Sequence, residues 1–128
     1  MANYAPQNFV AQNNLAATSL LLKLNLPRTH ELARELFTQH PEQAVIASTY
    51  AYSLYLQNRT REGLAVLQKL KPEDLENPSV ALYYGILLTA VGEGNKASPY
   101  LRIAQDSSLL PEEKILLAEA LKRPAPNS

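Results

Sequence analysis

Cysteine is absent from this chain of 128 residues, and so is a net charge: twelve lysines and arginines balance twelve aspartates and glutamates. The first absence excludes disulfides, thiolate metal sites and thiol nucleophiles, and it suits a reducing compartment such as the cytoplasm. The second removes any sequence-independent pull toward nucleic acid or an anionic membrane, so neither is expected as a partner. Long blocks of one charge sign are missing too. The uncharged run Val80–Val91 is far shorter than the roughly 20 residues that a membrane-spanning helix needs. Met1-Ala2-Asn3-Tyr4-Ala5-Pro6 has neither the basic segment nor the apolar core of a secretory leader. A single soluble domain is expected, long enough to bury roughly two-thirds of its unfolded surface.

Helix signals are what the chain has in quantity. Apolar residues recur three or four apart, as in Leu32 and Leu36, Leu64, Leu67 and Leu70, and the stripe Leu110, Leu117 and Leu121, whereas strand alternation is nearly missing. Thr60, Asn77 before Pro78, and Asn95 stand where N-caps are needed. Pro111 followed by Glu112 and Glu113 places a proline and two carboxylates in a first turn, where the helix dipole favours them. The pattern predicts seven helices, over about 7–24, 29–39, 42–57, 61–71, 78–91, 95–106 and 111–122, with a frayed tail at 123–128. Short connections between them require antiparallel neighbours.

A period outranks any local motif. Residues 43–70 slid along by 34 fall on 77–104: Ala47 on Ala81, Tyr50 on Tyr84, Ala51 on Gly85, Leu54 on Leu88, Asn58 on Gly92, Gly63 on Ala97 and Leu67 on Leu101. Small residues meet small ones, and Asn58 and Gly92 are both types that tolerate a left-handed backbone. Carried backward, the register puts Thr29 at Gly63, Ala33 at Leu67 and Leu36 at Leu70. One extra residue in the first turn brings Leu15-Ala16 onto Tyr50-Ala51. The physical sense is direct: two helices cross closely only where side chains are small, and a large residue beside the crossing fills the groove it leaves.

A helical hairpin of this length and pattern resembles the tetratricopeptide repeat (TPR) family, across roughly residues 8–121. Tyr84-Gly85, Gly92, Ala97, Leu101 and Ala104 supply the family's pattern in the third hairpin. Tyr50-Ala51, Asn58, Gly63 and Leu67 supply it in the second, with Leu70 where alanine is usual. Ala47 and Ala81 replace the family's first-helix tryptophan. The resemblance implies an all-α fold: a right-handed α-solenoid of antiparallel hairpins over about 8–41, 42–75 and 76–109, with a capping helix at 111–122. It also implies a non-catalytic protein-interaction module whose first helices line a concave groove for a peptide or helix of a partner. The groove positions carried over are Asn13, Ala17 and Leu20, then Ser48, Tyr52 and Tyr55, then Ser79, Leu82, Ile86 and Thr89.

Tyr52 and Tyr55 share a helix face apart from the core position of Tyr50, and tyrosines with an apolar body and a polar tip are frequent binding anchors. They serve equally well to cover neighbouring helices. As anchors they predict that Tyr52→Ala weakens partner binding and shifts the melting temperature little. Members of the family that clamp a terminal carboxylate use cations and asparagine at inner positions. Here Asn13 is kept, but Ala17, Thr49, Ser79 and Tyr83 stand at the others. An apolar or mixed peptide is therefore expected rather than a C-terminal carboxylate. Glu119 falls on the small-residue position of Ala51 and Gly85, so the array is expected to stop there. Ile115 and Leu116 widen the apolar perimeter. The alternative they motivate is a structural or oligomerisation segment of a larger repeat protein, self-associating through its terminal helices.

No cofactor or metal is expected. Gly92-Glu93-Gly94-Asn95-Lys96-Ala97 imitates a dinucleotide-binding turn, but such a turn follows a strand and needs an acid about 20 residues on. Here it follows a predicted helix, and Asp106 and Glu112 stand at the wrong distances. His30 and His40 are ten residues apart, not the three or four that aim two imidazoles at one metal. Asn58-Arg59-Thr60 matches a glycosylation sequon and is better explained as a helix end meeting a helix start. No pairing of nucleophile and base can be assembled, so enzymatic activity is not expected.

Overall fold

The structure is a computed structural model in which residues 8–107, 109 and 111–122 are described. They form α1 (Asn8–Leu22), α2 (Leu26–Gln39), α3 (Ala44–Leu56), α4 (Thr60–Gln68), α5 (Pro72–Leu75), α6 (Pro78–Ala90), α7 (Gly94–Gln105) and α8 (Pro111–Lys122), with no strand among the described residues. The fold is all-α. Residue 7, Leu110 and the tail 123–128, which enter the predictions above, lie outside the described residues.

All seven expected helices are present, and the one-turn α5 is an addition. Its start, Pro72-Glu73-Asp74, repeats the proline and two acids that open α8, so the signal was there on a segment too short to show periodicity. α2 begins at Leu26, earlier than expected, because Pro27 sits in its first turn, where its missing N–H costs nothing. Asn77 caps α6 as predicted, its Oδ1 accepting from the Ser79 N–H at 3.0 Å. Thr60 and Asn95 are not caps; each lies inside its helix, behind Arg59 and Glu93. Those two residues are fixed by the preceding helix, whose closing hydrogen bonds engage their N–H groups.

That closure is made the same way at three corners. Leu24 N–H donates to Ser19 O at 2.9 Å, Arg59 to Leu54 O at 2.8 Å and Glu93 to Leu88 O at 2.9 Å. The residue just before each donor takes a left-handed φ: 56° at Lys23, 65° at Asn58 and 87° at Gly92. Bonds that reach back five residues across a left-handed residue are the usual way to satisfy a helix's last carbonyls. Gly92 is thus a helix-ending residue, and the fold supplies no strand before it.

Packing follows the small residues. A Cβ on Gly63 of α4 would lie 2.8 Å from the Ala51 carbonyl oxygen of α3 and 2.7 Å from Leu87 Cδ2 of α6. A Cβ on Gly85 of α6 would lie 2.6 Å from Leu101 Cδ2 of α7. Ala16, Ala51 and Ala97 are fully buried as well. Stacked rings tie α2 to α3 through Phe37 and Tyr50, with centroids 4.9 Å apart, and Tyr84 meets Tyr100 of α7 edge-on at 4.7 Å. Neighbours in sequence pack in turn, and α1, α3 and α6 also touch directly, α1 against α3 and α3 against α6. Every residue of α6 from Val80 to Thr89 is buried. The uncharged run is a helix, covered on all sides as far as Thr89.

One partly buried contact has a pH signature. His30 Nδ1 of α2 lies 2.6 Å from Ser53 Oγ of α3. Burial lowers the His30 pKa below its ordinary 6.5. The folded chain therefore binds this proton less readily than the unfolded one, and the contribution is fully present above the unfolded pKa and lost as pH falls below it. Denaturant unfolding followed between about pH 7 and 5 should show falling stability, and His30→Gln should flatten that slope. An unchanged slope would take His30 out of the account.

Candidate partner-binding groove

Spacings of four and three put Asn13, Ala17 and Leu20 on one face of α1. The same arithmetic aligns Ser48, Tyr52 and Tyr55 on α3, and Ser79, Leu82, Ile86 and Thr89 on α6. α1 and α6 each adjoin α3, and Leu20, Tyr52 and Ile86 of the three faces share one buried cluster, so the faces meet on one surface. It is not open. α8 packs against α1, α6 and α7, and it covers this surface with Glu113, Leu116, Leu117 and Ala120.

Leu20, Ser48 and Leu82 have essentially no surface left, and Asn13, Tyr52, Ile86 and Thr89 are buried. Ala17, Tyr55 and Ser79 are half-buried. The hydroxyls turn inward to their own helices, Ser48 donating to Val45 O at 2.7 Å and Thr89 to Gly85 O at 2.9 Å. The expectation that Tyr52 is an accessible anchor with little role in folding is corrected: it is 3 % exposed. Its ring centroid lies 5.0 Å from that of Tyr83 and 5.8 Å from that of Tyr55. Tyr50, assigned to the core from the sequence, is only half-buried against Phe37.

Two residues that sequence reasoning did not place in the groove hold α8 there. Tyr83 donates its hydroxyl to Glu113 Oε2 at 2.9 Å, and both side chains are buried. A buried carboxylate needs such a donor. The available signal was Tyr83 itself, next in the chain to the expected groove position Leu82. Leu117 completes the contact, packed into the cluster of Leu20, Tyr52 and Leu82; burying it stabilises by roughly 2 kcal/mol. Of the expected stripe, Leu117 is buried and Leu121 exposed, with Leu110 outside the described residues; the buried face centres on Glu113 and Leu117 and leaves Ile115 exposed too. Between Tyr55, Ile86, Thr89 and the α8 residues Leu116, Glu119 and Ala120 remains a small, partly open pocket of about 30 Å³.

The electrostatics of the surface are those of neutral phenols. Burial, together with Tyr55 and Glu119, pushes the Tyr52 hydroxyl up to about 12. Burial and then Glu113 push Tyr83 well above its ordinary range. Folded-state values above the unfolded value of about 10 mean stability present below pH 10 and lost as pH rises through the folded pKa. Alkaline unfolding monitored by helicity should set in between about pH 10 and 12, and a Tyr52→Phe chain should resist it better. Onset at the same pH in both chains would contradict the burial of this hydroxyl.

Elsewhere the structure is plain. A cleft of about 700 Å³ opens between the α3–α4 and α6–α7 corners, lined by Arg59, Arg61, Glu62 and Gly92 among others. Its Arg59 guanidinium is already held by Glu62 at 2.9 and 2.7 Å. No group of three or more histidines, aspartates and glutamates able to hold a metal occurs among the described residues. Among them, too, no helix is long and apolar enough to cross a membrane. Comparison of the chain with protein-family models, with characterised proteins and with solved structures gives no significant match.

Proposed function

We propose that the chain is a non-catalytic protein-interaction module: a right-handed TPR-like solenoid of three helical hairpins that holds a helix of a partner on the inner surface of α1, α3 and α6. The observation that carries the proposal is α8, a helix already seated on that surface through Glu113 and Leu117. The repeat reading is supported by the three corner bonds, whose acceptors Ser19, Leu54 and Leu88 are 35 and 34 residues apart. These are the offsets expected when the first hairpin carries one extra residue. It is supported too by the small residues at the crossings of α3 with α4 and α6 with α7. The groove is aromatic and apolar with few free polar groups, which favours an amphipathic helix over a charged terminus. Selection of displayed helical peptides on the full chain tests the proposal. Enriched peptides are expected to perturb the NMR signals of Tyr52, Tyr55 and Tyr83; enrichment confined to other surfaces would refute it.

A second reading has its own observation. Leu15 and Leu22 lie seven apart on one face of α1 and are 63 % and 46 % exposed, and Ile115 of α8 is 61 % exposed. Large apolar side chains exposed at both terminal helices suit contact with further repeats or a second copy. Light scattering decides it. Mass that rises with concentration, and returns to that of one chain in Leu15→Glu, supports self-association; constant mass removes it.

A further inference from the structure

α8 grips the groove through one narrow face. Glu113, Leu116, Leu117 and Ala120 stand three, four and seven residues along and so share a side of the helix. Only Glu113 and Leu117 are buried, at 8 % and 6 % exposure; Leu116 and Ala120 are half-buried. A small, partly open pocket remains between α8 and the surface at Ile86 and Thr89. A polar group on the same surface is unsatisfied as well: Asn13, on the face of α1 that it shares with Leu20, is 4 % exposed, and its Oδ1 has no hydrogen-bond partner among the described residues. A buried carbonyl oxygen without a donor is costly. α8 therefore fits the groove well enough to occupy it and not well enough to satisfy it. An element attached by few buried contacts is also the kind that opens locally before the rest of a fold.

We infer that α8 is a resident competitor for the groove, and that the partner is an amphipathic helix written in the same pattern, which docks by displacing it. The pattern is a carboxylate for Tyr83, two apolar residues three and four positions later, and a small residue at the seventh. A donor within reach of Asn13 would add what α8 lacks. This inference rests on the inner surface being the binding surface. Its consequence is quantitative: the apparent dissociation constant is the intrinsic one divided by the fraction of chains whose α8 is undocked. Anything that loosens α8 tightens the partner.

The test uses the full chain and a fluorescent peptide of residues 109–122, LLPEEKILLAEALK, followed by anisotropy and by NMR of α8's own amides. Binding to the wild-type chain should be weak, and binding to a Leu117→Ala chain roughly tenfold tighter or more. A peptide that itself carries Leu117→Ala should not bind. Added peptide should move the wild-type chain's α8 signals toward those of a free helix. Circular dichroism checks that the Leu117→Ala chain keeps its other helices; if it does not, a Glu113→Gln chain carries the same expectation. Equal affinity for wild-type and variant chains, with the peptide contacting the inner surface, would refute displacement and leave the groove as a binding surface. No contact with that surface in either chain would refute both.

Discussion

Replacing Tyr52 with alanine is expected to lower the unfolding free energy by about 3–5 kcal/mol, the usual cost of deleting a buried aromatic ring. The ring is 3 % exposed, stands between Tyr55 and Tyr83, and belongs to the cluster that Leu117 of α8 completes. Its loss removes packing for α3, α6 and α8 together, so the site has little freedom to collapse. Folded domains are stable by only about 5–15 kcal/mol, so a large share is at stake. Urea unfolding read by circular dichroism should show a lower midpoint with an unchanged slope. Tyr52→Phe keeps the ring and should lose less than about 1.5 kcal/mol. A loss below about 1 kcal/mol for Tyr52→Ala would return this residue to an open surface.

The second large effect is at the α3–α4 crossing. A Cβ on Gly63 meets the Ala51 carbonyl oxygen at 2.8 Å, and backbone cannot swing aside as a side-chain tip can. Gly63→Val is therefore expected to cost about 3 kcal/mol, the upper part of the range for overpacking. Gly63→Ala should cost less, because alanine regains up to about 1 kcal/mol of helix propensity. At Gly85 the nearest atoms belong to the Leu101 side chain, at 2.6 and 2.8 Å, so Gly85→Val should be the milder of the pair. Thermal melts of the variants give the order directly. Gly85→Val costing more than Gly63→Val would show that the backbone contact is not what sets the tolerance.

How far these features could be read from the sequence depends on whether a helix has two different faces. Asn58 and Gly92 announced helix ends because few other residues accept a left-handed φ, and both take one. Ala51, Gly63 and Gly85 announced close crossings because size is visible in sequence. α3 and α6 are apolar nearly all round, so periodicity could not say which tyrosine faces the core. Tyr50 was assigned there and is half-buried, while Tyr52 was assigned to the groove and is buried. The path of α8 was hidden for the same reason. Ile115, Leu116, Leu117 and Leu121 surround it with apolar groups, and only a partner for Glu113 picks the buried side. That partner, Tyr83, is 30 residues away in the chain, a separation that no local pattern encodes.

α8 lies across the surface formed by α1, α3 and α6 through Glu113 and Leu117. A carbon-edited NOE spectrum of the full chain examines this most directly, through cross-peaks between the Tyr83 ring and the Glu113 side chain. Their presence, at intensities fitting a hydroxyl 2.9 Å from the carboxylate, is the predicted result. Their absence, with the Tyr83 ring showing solvent contacts instead, would contradict it.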